Sequence, residues 1–200
     1  HLYHRRQRQM CIRDRECDVI IHTAALVSNA MQDSDMWRVN VLATRNLIEA
    51  AKEHKVRRFV QISSVVAYGN SAEGELEENH PVHADGGSYV LTKLASEHVV
   101  LGAQANDNIE VVILRPGDAY GPGSRPWVIA PLEAIAKNQF MLPAKGEGFF
   151  RPIYIDDLVR GIVMATSHPD AAGEIFNISC EGYMPAKEYF APHYQWLDKK

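Results

Sequence analysis

Short segments rich in β-branched apolar residues alternate along this chain with longer segments of helical periodicity. The segments 18–22, 59–62 and 111–114 predict buried strands, while 35–55 and 88–103 predict helices. The same alternation then predicts a helix at 128–137, a strand at 152–155, a helix at 156–166, a strand at 175–178 and a terminal helix. Parallel strands need a crossover between them, and a helix is its usual form. We therefore predict an α/β fold with a doubly wound parallel sheet.

Composition excludes several classes of protein. Apolar residues make up 46% of the 200 residues and charged residues 23%, which is a globular rather than a disordered composition. The formal net charge of −4 provides no basic surface for nucleic acid, and no run approaches the ~20 apolar residues that span a bilayer. Cys11, Cys17 and Cys180 lack the spacing of metal ligands. We expect no metal, no nucleic-acid partner, no membrane association and a reducing, cytoplasmic compartment.

The two ends of the chain differ from its middle. Residues 1–15 are rich in arginine, which is typical of a basic arm that contacts an anionic partner. The segment 10–15 also corresponds to the translation of a sequencing-adapter DNA, and we favour this interpretation of residues 1–15. At the other end, the chain stops inside an aromatic-rich helical segment. We therefore expect a chain that is truncated at both ends.

Three groups of small or polar residues directly follow predicted strands. They are Thr23-Ala24-Ala25, Ser63-Ser64 and Pro116-Gly117-Asp118. In doubly wound sheets the ligand binds beyond the carboxyl ends of the strands, so these residues are candidates for a binding site. Small residues after the first strand would let a flat ligand approach the backbone. A plain structural role also fits, since small residues pack well at strand ends and serines terminate strands.

Tyr89 and Lys93 lie four residues apart in a predicted helix, so their side chains share one face. A free tyrosine, with a pKa of ~10, is a poor acid or base at neutral pH, and a nearby cation lowers that pKa. We therefore expect Lys93 to lower the pKa of Tyr89, which then exchanges a proton with a substrate oxygen. Ser64 ends a neighbouring strand and is placed to hydrogen-bond the same oxygen. Tyrosine and lysine at this spacing also occur by chance.

Further motifs surround this pair in a fixed order. They are Val39-Asn40-Val41 with Thr44 to Leu47, Ala67-Tyr68-Gly69, Leu114-Arg115-Pro116, Tyr120 to Gly123, Arg151 to Leu158, and Gly173 to Asn177. Together with the strand-end residues, Tyr89 and Lys93, they resemble the extended short-chain dehydrogenase/reductase family, the NAD(P)-dependent epimerases and dehydratases. The resemblance covers about residues 17–198. It implies a Rossmann-like fold with a small C-terminal substrate-binding part.

The resemblance also implies roles for individual residues. Ser64, Tyr89 and Lys93 match the catalytic residues, with Tyr89 as the acid–base group and Lys93 as the residue that tunes it and binds the nicotinamide ribose. Asp118 and Arg151 match residues that face the substrate, and a plain surface role for Arg151 stays open. The residues that match the lining of an NAD or NADP site are Thr23, Ala24, Ala25, Asn40, Ser63, Tyr89, Lys93, Pro116 and Gly117.

The opening motif of the family is missing from this sequence. Members begin with a strand, a GxxGxxG loop and a helix, whose backbone N–H groups bind the pyrophosphate. In this chain the glycines occur only from Gly69 onward. We therefore expect a partial NAD(P)-binding domain at 16–124 and a partial substrate-binding region at 125–200 that is interleaved with the sheet. We also expect the 200 residues alone to be inactive.

The sequence favours an NAD(P)-dependent oxidoreductase that acts on a secondary alcohol or ketone. The segment 121–127 resembles the sterol-dehydrogenase and dihydroflavonol-reductase-like branch. A nucleotide-sugar epimerase or dehydratase, with Arg151 on the diphosphate, is the alternative within the enzymes. A non-catalytic NAD(P)-binding regulator is the alternative of another class, and an intact Ser64, Tyr89 and Lys93 argues against it. We expect a small-molecule substrate as partner and a homodimer as the assembly.

Overall fold

The computed structural model of the protein describes residues 17–27, 32–69, 74–106, 109–182 and 184–199. The predicted adapter segment, 1–15, lies outside these residues. The chain divides into two compact units: unit 1 comprises His1–Leu114 and Ala165–Phe176, and unit 2 comprises Arg115–Met164 and Asn177–Lys200. The domain boundary that we placed between residues 124 and 125 stays a prediction.

Strands and helices alternate along the chain. The strands are β1 (Val19–His22), β2 (Arg58–Ile62), β3 (Glu110–Pro116), β4 (Asp118–Tyr120), β5 (Phe149–Phe150), β6 (Pro152–Tyr154), β7 (Ile175–Ile178) and β8 (Met184–Pro185). The helices are α1 (Asp33–Met36), α2 (Ala43–Glu53), α3 (Ser88–Asn106), α4 (Ala130–Ala136), α5 (Ile155–Ser167) and α6 (Ala186–Trp196). The elements predicted from the sequence pattern are present, and the short strands β4, β5 and β8 were not predicted. Two π-helical segments, Trp37–Leu42 and Arg125–Ile129, precede α2 and α4.

The main sheet has the strand order β1-β2-β3-β7. β1 pairs in parallel with β2, where Val19 lies opposite Arg58, and β2 pairs in parallel with β3, where Arg58 lies opposite Glu110. Helices connect these parallel strands, which confirms the predicted Rossmann-like α/β fold. Because β1 and β2 are parallel, their carboxyl ends lie at the same edge of the sheet.

The core of unit 1 lies between the sheet and helices α2 and α3. Its fully or nearly fully buried apolar residues are Ile48, Ala51, Val56, Phe59, Val100, Ala103, Ile109, Val111 and Ile113. Val111 and Ile113 are two residues apart in β3, so they lie on the same face of the strand. The helices supply their buried side chains at helical spacing, as with Ile48 and Ala51 of α2. This packing fixes α3, which carries Tyr89 and Lys93. It also fixes β2, which ends two residues before Ser64.

Arg58 is a buried charged residue in unit 1, with 1% of its surface exposed. Its Nε donates to a carboxylate oxygen of Glu110 at 2.7 Å. Its Nη1 donates to the backbone oxygens of Ala165 and His168 at 2.9 and 2.8 Å. Every one of these bonds joins a charged donor to an acceptor near the amino ends of the strands. Arg58 therefore stabilises the fold at the edge of the sheet opposite the candidate site.

The core of unit 2 is an aromatic cluster. The ring centroids of Phe150 and Tyr189 lie 4.2 Å apart, and those of Trp127 and Phe150 lie 4.8 Å apart. The hydroxyl of Tyr189 donates to the backbone oxygen of Trp127 at 3.2 Å, and Nε2 of His193 lies 3.1 Å from the same oxygen. Aromatic pairs of this kind add stability beyond their buried area.

In the described part of the chain, no helix has the length and apolar character needed to cross a membrane.

Candidate active site

The carboxyl ends of β1 and β2 bring two of the predicted residue groups to one edge of the sheet. His22, the last residue of β1, lies opposite Gln61 of β2, so the segments that begin at Thr23 and Ser63 leave the sheet side by side. The side chains of Thr23 and Ala24 are exposed and that of Ala25 is half-buried. This edge therefore presents small, accessible residues, as the sequence predicted.

The side chains of Ser64 and Tyr89 lie near each other, and the Ser64 hydroxyl acts to lower the pKa of Tyr89. Ser64 follows β2 and begins the 3₁₀ turn Val65–Tyr68, where its Oγ also accepts from the backbone N–H of Val66 at 3.3 Å. Ser64 thus ends the strand segment, as its structural interpretation has it, and also lies near the phenol. Tyr89 lies in the first turn of α3 and is half-buried. This placement brings together the two hydroxyls that the sequence predicts at the reacting oxygen.

The expectation that Tyr89 has a lowered pKa is wrong for the protein in this structure. Burial raises the pKa of Tyr89, because the phenolate would lose its hydration, and the nearby hydroxyl of Ser64 offsets this only in part. Tyr89 is therefore protonated at neutral pH and is ready to donate a proton.

Lys93 lies one helical turn after Tyr89 and has 4% of its surface exposed. Its Nζ donates to the backbone oxygen of Ile62 at 2.7 Å, which fixes the ammonium group at the end of β2. Burial lowers the pKa of Lys93 to about 8, although the carboxylate of Glu97 acts in the opposite direction. Lys93 is mostly charged at neutral pH. Its ammonium group lies at the carboxyl end of β2, two residues before Ser64.

The lowered pKa of Lys93 predicts how stability depends on pH. Between about pH 8 and 10.5 the unfolded chain binds a proton at Lys93 that the folded chain does not. The free energy of unfolding contributed by this residue therefore rises with pH in that window, by up to ~1.4 kcal/mol per pH unit. In urea unfolding from pH 7 to 10, we compare the free energies of unfolding of the unmodified chain and of Lys93→Met. The value for the unmodified chain minus that for the variant is expected to increase with pH above 8. A difference that is independent of pH would contradict the burial of this charge.

Three buried residues behind the site were not singled out from the sequence. Thr92 and Glu97 share α3 with the catalytic candidates, and His22 ends β1. Burial and the nearby charge of Lys93 lower the pKa of His22 to about 4, so its imidazole is neutral at pH 7. For Glu97, the spacing of four residues from Lys93 was an available signal. No sequence signal distinguished Thr92 or His22, because their burial depends on the packing of separate elements.

The candidates Pro116, Gly117, Asp118 and Arg151 lie in unit 2. Pro116 is buried at the end of β3, and the backbone N–H of Gly117 donates to Ile178 at 2.9 Å. A Cβ atom on Gly117 would lie 2.3 Å from the backbone oxygen of Arg151, so only glycine fits there. The backbone N–H of Asp118 donates to that oxygen at 2.8 Å, and the carboxylate of Asp118 accepts from the N–H of Arg151 at 3.3 Å.

Asp118 and Arg151 are thus neighbours, but through the backbone of Arg151. Burial raises the pKa of Asp118, and the bond from the N–H of Arg151 acts against this. The guanidinium of Arg151 turns elsewhere and donates to the backbone oxygen of Gly182 at 3.0 Å. Within the described residues, Arg151 forms no ion pair. Both substrate-side candidates therefore lie at the start of the β4–β6 pair in unit 2.

Unit 2 also contains a cleft of about 380 Å³. The residues that line it are Tyr120, Pro152, Ile153, Tyr154, Asp157, Ser179, Cys180, Glu181 and Met184. Its charged side chains, Asp157 and Glu181, are both acidic, and its aromatic rings come from Tyr120 and Tyr154.

No group of histidine, cysteine and acidic residues in the described ranges is arranged to hold a metal ion.

Comparison with known proteins identifies the family. The model of the NAD dependent epimerase/dehydratase family matches residues 2–179. The chain belongs to this family. The resemblance stated from the motifs is thereby confirmed, and the family is one of NAD-dependent enzymes. The match includes most of the segment 1–15, and the adapter origin of that segment stays a prediction.

Members of the NAD dependent epimerase/dehydratase family with different activities are similar to this chain. It is 30% identical over 167 residues to a dTDP-glucose 4,6-dehydratase of Streptomyces niveus, which covers 80% of this chain and 49% of that protein. It is 31% identical over 196 residues to a decarboxylating sterol-4-alpha-carboxylate 3-dehydrogenase of Candida albicans, with 92% and 53% covered. The chain thus spans about half the length of the curated relatives it matches.

A solved structure from the family has a similar fold. It is the UDP-glucuronic acid 4-epimerase of Bacillus cereus in complex with NAD, with a TM-score of 0.83 and 26% identity. The alignment covers 92% of this chain and 61% of that one.

Proposed function

We propose that this chain carries the acid–base centre of an NAD-dependent oxidoreductase that interconverts a secondary alcohol and a ketone. The observation that supports this most is the placement of the Tyr89 phenol near the hydroxyl of Ser64, one helical turn from the buried ammonium group of Lys93. A phenol, a hydroxyl and a cation at the carboxyl edge of a parallel sheet form a suitable set for proton exchange with a substrate oxygen.

The residues of unit 1 fit the nicotinamide half of NAD. The Oγ of Ser63 is buried and has no hydrogen-bond partner among the described residues, an arrangement that buried hydroxyls rarely adopt without a ligand or water. An ammonium group has three N–H donors, and one from Lys93 is used on Ile62. Thr23, Ala24 and Ala25 leave room at the backbone. We propose that these residues line the nicotinamide and its ribose. The assignment of Pro116 and Gly117 of unit 2 to the cofactor stays a prediction.

Each catalytic residue has a defined task in this proposal. Tyr89, protonated at neutral pH, donates its phenol proton to the oxygen of a ketone, or takes the proton of an alcohol in the reverse direction. Ser64 hydrogen-bonds the same oxygen and stabilises its developing charge. The charge of Lys93 stabilises the phenolate that remains. Bound NAD would supply or accept the hydride at the substrate carbon.

We propose a neutral substrate, of the sterol or dihydroflavonol kind. The cleft in unit 2 supports this, because the charges in its lining are the carboxylates of Asp157 and Glu181, which would repel a diphosphate. The similarity to a sterol dehydrogenase also supports it. The alternative is a nucleotide sugar bound through Arg151, which the partly exposed guanidinium of Arg151 and the similarity to a dTDP-glucose dehydratase support. A cytoplasmic homodimer stays a prediction.

Turnover by the protein of the full open reading frame tests this proposal. We would supply NAD⁺ with a 3-hydroxysterol, a flavan-diol and a UDP- or dTDP-hexose in separate reactions, and follow NADH at 340 nm and products by NMR. Net NADH from a secondary alcohol is the expected result. Conversion of the nucleotide sugar without net NADH would favour the epimerase or dehydratase. NAD binding without turnover of any substrate would favour a non-catalytic regulator and overturn the proposal.

A further inference from the structure

Asp118 carries a carboxylate that forms few hydrogen bonds within unit 2. One of its oxygens accepts from the backbone N–H of Arg151 at 3.3 Å. Among the described residues no cation pairs with it, and the guanidinium of Arg151 donates to the backbone oxygen of Gly182 instead. An ionised carboxylate has about four acceptor sites, so most of those on Asp118 are available to a ligand or to water.

The surroundings of Asp118 leave this carboxylate partly dehydrated. Its side chain is half-buried, and burial raises its pKa. Burial, together with the nearby Tyr120 and the charge of Asp118, also raises the pKa of Tyr189 to about 12. The hydroxyl of Tyr189 does not serve Asp118, because it donates to the backbone oxygen of Trp127 at 3.2 Å. A partly dehydrated carboxylate gains from a hydrogen-bond donor that a ligand brings.

The backbone at Asp118 is fixed before any ligand binds. Its N–H donates to the backbone oxygen of Arg151 at 2.8 Å, and Asp118 lies opposite Pro152 in the parallel pair of β4 and β6. The preceding residue, Gly117, packs so closely on Arg151 that a Cβ atom would not fit. The carboxylate is therefore preorganised, which lowers the cost of binding a ligand.

A wall of tyrosine rings lies on the same face of β4 as Asp118. Tyr120 is two residues after Asp118 in the strand, so the two side chains project to the same side. Tyr154 of β6 lies opposite Tyr120, and their ring centroids are 5.5 Å apart. Tyr120, Tyr154 and Pro152 line the cleft of unit 2. Asp118 thus lies beside the cleft, next to aromatic rings that suit an apolar ring system.

We propose that Asp118 is a specificity-determining residue, which selects a substrate that carries a second hydroxyl besides the alcohol or ketone that reacts. The rings of Tyr120 and Tyr154 pack against the apolar ring system of this substrate, and the second hydroxyl donates to the carboxylate. This rests on the function proposed above and narrows its neutral substrate to a diol or a hydroxyketone. A substrate without the second hydroxyl is rejected, because it would cover the carboxylate and leave it without a donor.

Two pairs of alcohols test this selection with the protein of the full open reading frame and NAD⁺. Flavan-3,4-diol and flavan-4-ol differ in a hydroxyl next to the reacting carbon, and a steroid 3,17-diol and the matching 3-ol differ in a distant hydroxyl. In one of the pairs, kcat/KM is expected to be about 10²-fold higher for the diol than for the mono-ol. Equal values of kcat/KM within both pairs would overturn the proposal.

Variants of Asp118 assign this ratio to its carboxylate. Asp118→Asn keeps the size and an oxygen that can accept from Arg151, but removes the charge, so the ratio should fall about tenfold. Asp118→Leu removes every acceptor and should abolish the ratio, and Asp118→Asn remains informative if the leucine variant does not fold. Asp156→Asn is the matched control, because Asp156 is an exposed carboxylate of α5 outside the lining of the cleft. If Asp118→Asn and Asp156→Asn keep the same ratio, the proposal is refuted.

Binding measured without turnover separates this proposal from the proposed function. In calorimetry on the same protein, the Kd of the preferred diol should be lower than that of its mono-ol by a similar factor, and Asp118→Asn should reduce the difference about tenfold. Such a difference without formation of NADH would support the role of Asp118 and contradict the proposed function. Turnover of the alcohols with no difference in Kd or kcat/KM that depends on Asp118 would support the proposed function and overturn the role of Asp118.

Discussion

Tyr89→Phe is expected to lower kcat of the full-length enzyme by about 10²–10⁴-fold, the usual contribution of a general acid or base. The substitution removes only the phenol oxygen, so the packing of α3 and the affinity for NAD⁺ should stay nearly unchanged. In the structure, that oxygen lies near Ser64 and keeps its proton because burial raises the pKa of Tyr89. Without it, a ketone oxygen has no protonated phenol to take its proton from. Steady-state kinetics with NADH, together with the Kd for NAD⁺ by calorimetry, are the measurements.

Tyr68→Phe is the matched control for this experiment. Tyr68 is also a buried tyrosine of unit 1, and its hydroxyl donates to the backbone oxygen of Glu77 at 3.1 Å. Loss of that bond is expected to reduce stability by about 1 kcal/mol and to leave kcat per folded molecule nearly unchanged. If Tyr89→Phe kept nearly full activity, or if Tyr68→Phe lost as much, the assignment of Tyr89 as the acid–base group would be refuted.

Arg58→Met is expected to lower the free energy of unfolding by about 3–5 kcal/mol, the usual cost of removing one partner of a buried charged network. Methionine occupies a similar length without a charge. The backbone oxygens of Ala165 and His168 would then lose their donor at a position that water does not reach. Urea unfolding of the chain, with linear extrapolation to water, measures the effect.

The neighbouring arginine provides the control. Arg57 binds the same carboxylate of Glu110 at 2.9 Å, but its side chain is 47% exposed. Arg57→Met should therefore cost less than about 1 kcal/mol, as exposed ion pairs do. Equal losses for the two variants would show that burial is not what makes Arg58 important.

The sequence determined most of the fold, because the signals for it are local. The period of apolar residues distinguished β2 and β3 from α2 and α3, and the alternation of the two required parallel strands. Short elements such as β4 and β8 escaped prediction, since two or three residues carry no periodicity and form strands only when a partner strand is present. The spacing of Tyr89 and Lys93, together with the position of Ser64 after a strand, was sufficient to propose which side chains meet.

Tertiary structure alone decided the electrostatics and the support of the site. The pKa of Tyr89 is raised rather than lowered because the desolvation of a phenol depends on what packs around it, which residue spacing does not report. For the same reason the burial of Arg58 and of Glu97 could not be predicted, since both residue types are usually exposed. The side chain of Asn40 is hydrogen-bonded to Leu26 and Thr92, which lie 14 and 52 positions away in the chain. Bonds between such distant residues exist only once the segment after β1, the π-helical segment Trp37–Leu42 and α3 are packed together, so they belong to the folded structure and not to any local pattern.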